Sequence, residues 1–119
     1  MADDITLQMH KIMDEVSKEA EEALKKGIAT VSRKTASKLK NSSPRRTGKY
    51  ASGWAVRQEK DGAVVYNRTK PRLTHLLENG HVIRNAKGTY GRVSGRPHIK
   101  PAEEWAAAEL PKEIMRNMQ

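Results

Sequence analysis

The reading of this fold turns on residues 3–39, "DDITLQMHKIMDEVSKEAEEALKKGIATVSRKTASKL". Apolar or small residues recur at Ile5, Met9, Ile12, Val16, Ala20, Leu24, Ile28, Val31 and Leu39, in steps dominated by three and four. That period predicts one long helix. Asp3 and Asp4 suit its positive end and Lys38 and Lys40 its negative end, and Pro44 in "NSSPRRTG" stops it. Such a helix would be roughly 55 Å long, longer than a compact domain of this mass is wide. Its stripe advances nearly four residues per step and so drifts around an ideal helix. A break near Gly27 would give two helices. The sharper reading packs one half at home and lays the other, through Ile5, Met9, Ile12 and Val16, on a neighbouring subunit.

Beyond Pro44 the period changes. "GKYASGWAVRQ" alternates Tyr50, Ser52, Trp54 and Val56 on one face, "EKDG" is a turn and "AVVYN" returns, so residues 50–67 predict a β-hairpin. A short helix at 73–79 ends at Gly80, a residue that helix C-termini favour. "HVIR" suits a strand, residues 84–96 read as a mobile glycine-bearing loop, and "PHIK" as a short strand or edge. Pro101, Glu103 and Glu104 then open a helix over 101–118, which Pro111 kinks or ends. The expected class is α+β: a long N-terminal helix, a small antiparallel sheet with a hairpin, a short middle helix and a C-terminal helix. One domain over 1–119 is expected, divided into a helix at 1–41, a β-rich part at 47–100 and the last helix.

Composition narrows the chemistry. Among 119 residues there is no Cys and no Phe, which removes disulfides, thiolate metal sites and cysteine nucleophiles. The acidic start "MADDITLQMHK" lacks the charge and apolar run of a signal peptide. No stretch approaches the roughly 18–20 apolar residues that span a bilayer, so a soluble protein that stays where it is made is expected. The net charge of +9 is uneven: −3 over residues 1–26, +14 over 27–100 and −2 over 101–119. A basic middle implies an acidic partner, either nucleic acid or a negative protein surface.

One stretch resembles active chemistry. In "LTHLLENGH", residues 73–81, His75 and Glu78 share a helical face and His81 follows the glycine. Zinc helices hold two ligands within one rigid turn. Here the third would hang on a flexible exit, so a capped amphipathic helix is the better reading, with no metal or cofactor expected. The carboxylates of the middle region are only Glu59, Asp61 and Glu78, and neither a nucleophile elbow nor a triad is present, so no catalytic residue is assigned. Arg45, Arg46 and Lys49, together with Arg84, Lys87, Arg92 and Arg96, are candidates for docking on an acidic rim or facing phosphates. Tyr50 and Trp54 could stack on bases but read better as core. A nucleic-acid-binding alternative would use Arg45, Arg46, Lys49, Arg68, Lys70 and Arg72.

The order of these features resembles a known family. A long helix precedes the Thr47-Gly48 pair, with Ser52 four residues beyond the glycine. Then come "LLENGH" (Leu76–His81), a variable loop, and "RPHIKPAEEWA" (Arg96–Ala106) leading into the last helix. Over about residues 5–115 this is similar to the minor tail-component, or tail-completion and head–tail joining, proteins of long-tailed double-stranded DNA bacteriophages. Lys49-Tyr50 and Leu73-Thr74 depart from the usual pattern. The resemblance implies a structural virion protein of the tail or neck, present in the host cytoplasm during assembly. It implies a homo-oligomeric ring, commonly hexameric, that meets the tail tube protein and the head connector, with passing contact with phage DNA and none with a membrane.

Overall fold

The computed structural model describes residues 4–8, 18–45, 48–60, 62–85 and 88–119. The chain is α+β, in the order β1 (Ile5–Gln8), α1 (Lys18–Ser42), α2 (Lys49–Ser52), β2 (Trp54–Glu59), β3 (Gly62–Asn67), a 3-10 turn (Pro71–Leu73), α3 (Thr74–Asn79), β4 (Gly80–Asn85), β5 (Gly88–Ser94) and α4 (Ile99–Asn117). β1 and β2 flank β3 in an antiparallel sheet, and β4 pairs with β5 as a separate two-stranded ribbon.

Ile5 is no helix residue. It pairs with Val65 across β1 and β3 and is buried together with Leu7, while Asp4 and Thr6 face out. That alternation has a period of two and suits β-branched residues; the run is short enough that the longer helical period hides it. Ile5 therefore packs within its own subunit, whereas Met9, Ile12 and Val16 lie outside the described residues.

α1 runs unbroken through Gly27, which removes the two-helix alternative. The glycine has a packing use, since a Cβ there would meet Cγ1 of Ile114 on α4 at 2.8 Å. α1 and α4 are antiparallel: Asn117 donates to the Ala23 carbonyl at one end, and Lys38 sits 5.4 Å over the Trp105 ring toward the other. The buried stripe of α1 includes Leu24, Ile28, Val31, Thr35 and Leu39, and it is sheltered by α4 and by the three-stranded sheet of the same chain. The drift of the stripe is thus answered at home over 18–42, and α1 supplies no argument for a neighbouring subunit. Its buried hydroxyls are satisfied locally, Thr35 on Val31 and Ser32 on Ala29.

Three further expectations change. Tyr50 and Ser52 lie in the helical turn α2, not on a strand; Tyr50 and Trp54, four apart, share a side in either conformation, so that pair could not separate the two, and the strand begins only at Trp54. The hairpin itself is present as β2 and β3, in register from Trp54↔Asn67 to Glu59↔Gly62. Residues 88–94, expected within a mobile loop, form β5 in register with β4. "PHIK" is not a strand: Pro97 and His98 lead directly into α4, which begins at Ile99 and continues through Pro111 to Asn117. The missing N–H of Pro111 falls on the exposed side of the helix, and the α1 contacts of Ile114 and Asn117 hold the turn beyond it.

Candidate docking surface

Residues 73–81 form a structural junction. Oε1 of Glu78 accepts from the backbone N–H of His98 (2.7 Å) and Ile99 (2.8 Å), and Oε2 from that of Lys100 (3.0 Å). These donors belong to the first turn of α4, where a helix leaves N–H groups without intrahelical partners, and α4 has no side-chain cap of its own. Glu78 caps it from twenty residues away and adds a favourable charge at its positive end. Burial pushes the Glu78 carboxyl up, but the three backbone N–H bonds and the His98 imidazole outweigh it, so the group is held below its ordinary value of 4.5.

His98 extends the junction into the core. Its Nδ1 lies 2.7 Å from the Arg96 carbonyl and 3.0 Å from Oε1 of Glu78, two acceptors, so that nitrogen carries the proton. Nε2 meets the Tyr50 hydroxyl at 2.7 Å. The Tyr50, Trp54 and His98 rings pack edge to face, with Tyr50 and Trp54 centroids 5.7 Å apart. Trp54 Nε1 donates to Ser43, and Asn67 Nδ2 to the Tyr50 carbonyl. Tyr50 and Trp54 are core, as the sequence suggested, and offer no stacking face to a base. Tyr50→Phe leaves Nε2 of a fully buried histidine without its hydroxyl and is expected to cost about 1–2 kcal/mol, read as a shifted urea midpoint.

As a metal box the stretch comes apart. His75 is exposed and meets Asn79 Nδ2 at 3.2 Å, Glu78 is turned to α4, and His81 lies on β4. Among the described residues no group of three His, Asp or Glu is placed to hold a metal ion.

The basic candidates gather at the end of the molecule where α1 stops. Thr69 donates to the Lys49 carbonyl, and the Arg68 N–H to that of Gly53, stitching the segment after β3 to α2. Arg68, Lys70 and Arg72 are thereby brought beside Lys49, while Arg45 is exposed at the end of α1 and donates to the Lys40 carbonyl. Arg92 donates to the Asn79 carbonyl and the Arg96 N–H to that of Leu77, at the root of the ribbon. Arg84 lies on β4; Arg46 and Lys87 fall outside the described residues. The described carboxylates between Arg45 and Lys100 are already engaged, Glu59 by Arg57 and Glu78 by α4.

Between these cations is an apolar groove of about 540 Å³, lined by Pro44, Gly48, Lys49, Tyr50, Lys70, Leu73 and Leu77. Leu73, Leu76, Val82 and Val93 expose more than a third of their surface on the 3-10 turn, α3 and the ribbon. Sequence reading found the cations but not the groove or His98. The one available signal was the pairing of an acidic residue before a helix-ending glycine with a later helix start that lacks its own cap. No described helix is long and apolar enough to cross a membrane.

A braced junction and a cation-rich surface, with Glu103 and Glu104 exposed early in the neighbouring helix α4 and apolar positions beside it, suit contact with other macromolecules. The matching family model is described as "Bacteriophage HK97-gp10, putative tail-component" and covers residues 3–80, well over half of the chain; the chain belongs to this family of phage tail components. No curated protein and no solved structure matches it.

Proposed function

We propose that this chain is a structural virion protein that completes the tail of a long-tailed phage and joins it to the head. In this reading it closes a homo-oligomeric ring of six at the neck, with one surface on the tail tube protein and another on the head connector. It works without cofactor or metal, catalyses nothing, and touches DNA only as the genome passes. It resides in the virion, having assembled in the host cytoplasm.

The observation that carries the reading is the family match over residues 3–80. The cation-rich end supports it, because an assembly protein must recognise particular partners and complementary potentials steer such encounters. The ring rests on the resemblance, since the buried stripe of α1 is covered by its own chain. Deleting the gene from the phage is the test. Filled heads and separate, unjoined tails should accumulate, with infectivity restored by expression in trans. Normal particles from the deletion strain would overturn the assignment.

A further inference from the structure

We propose that the groove between the end of α1, α2 and α3 is the docking site for an acidic segment of another virion protein, anchored by one apolar side chain between carboxylates. This deepens the structural reading and rests on it.

The floor of the groove, Pro44, Leu73 and Leu77 above the edge of buried Tyr50, offers apolar surface on the scale of one or two side chains. The rim offers charge: Lys49 and Lys70 line it, Arg68 and Arg72 flank it along the chain, and no carboxylate is among its described lining. A groove with an apolar base and a cationic edge complements a ligand with the converse pattern, an apolar anchor carrying acids on either side. Duplex DNA satisfies only half of this. Phosphates would meet the lysines but leave the floor bare, and the rings that could have stacked on bases, Tyr50 and Trp54, are 5% and 2% exposed.

A second copy is also a poor occupant. The chain carries +9, so approach to its own basic end is repulsive. Many of its described glutamates are occupied besides: Glu21 by Lys25, Glu109 and Glu113 by Arg116, Glu59 by Arg57, and Glu78 by α4.

Titration of the isotope-labelled full chain with a short synthetic peptide tests this, using one leucine set among aspartates and glutamates. The same peptide with serine for the leucine, and a short DNA duplex, serve as comparators. Amide shifts should map to Tyr50, Lys70, Leu73 and Leu77. Affinity should fall on the order of tenfold for the serine peptide, and similarly for Lys70→Glu and for Leu73→Ser in the protein. Both substitutions are at exposed positions, so unchanged spectra elsewhere confirm that each variant is folded. Equal binding of the two peptides overturns the proposal, as does a duplex that shifts these amides in place of the peptide. Shifts that depend on protein concentration alone would assign the groove to a second copy and overturn it too. If peptide binding fails while the deletion phage still yields unjoined heads and tails, the groove is wrong and the joining role stands. Groove binding beside a deletion phage with normal particles is the reverse.

Discussion

Gly80→Ala lowers stability by about 3 kcal/mol or more. At Gly80 the chain leaves α3 and enters β4 with φ 81° and ψ 175°, a conformation essentially reserved for glycine. A Cβ there would also drive into backbone rather than a movable side chain, against the Val93 carbonyl and within 2.6 Å of the Gly95 nitrogen. Relief requires the root of the ribbon to part from α3, which loosens the Arg96–Leu77 hydrogen bond and the Glu78 cap behind it. Thermal unfolding should show a fall in Tm of about 12–15 °C for a domain of this size. A change of a degree or two would mean that the turn adapts and that the junction is softer than its geometry implies.

The second large effect is that of Glu78. Glu78→Ala removes all three hydrogen bonds at the start of α4 and leaves the Nδ1 side of buried His98 with one acceptor fewer, for an expected loss of about 3 kcal/mol at neutral pH. The pH dependence has a definite sign. Folding holds the Glu78 carboxyl below its ordinary 4.5, so its contribution is fully present above that value and is lost as pH falls through the depressed native pKa. Urea midpoints measured from neutral pH downward should therefore converge for wild type and Glu78→Gln at the acid end and separate above about pH 5. Curves that stay parallel throughout would show that the carboxylate charge is not what holds α4.

Both effects fall on the stretch that first looked like a metal site, which shows what sequence could and could not resolve. The 3–4 period from Ala20 to Leu39 found α1, and the Pro44 stop placed its end within a few residues. The alternation around Trp54 and the "EKDG" turn found β2 and β3. Those signals are local, so they survive without knowledge of neighbours. β1 did not: four residues of alternation at Ile5–Gln8 yield to a longer helical pattern unless the partner β3 is already in view. β5 was hidden by its glycines, whose turn-forming habit masks a strand stabilised by pairing with β4. The basic candidates were legible as charge, but their grouping around an apolar groove depends on Thr69 reaching Lys49 and Arg68 reaching Gly53, which no spacing rule foretells. Glu78 was noticed for its neighbour His75, three residues away; its partner proved to be a helix twenty residues on.

This phage tail component is proposed to meet an acidic protein surface through its cation-rich end. Cryo-electron microscopy of the assembled particle, at a resolution that traces side chains, tests that claim most directly. It should find the chain at the neck, with density from a neighbouring protein in the groove beside Lys70 and Leu73 and acidic residues against the rim. A chain missing from the particle, or present with that end facing solvent or the genome, would contradict the account.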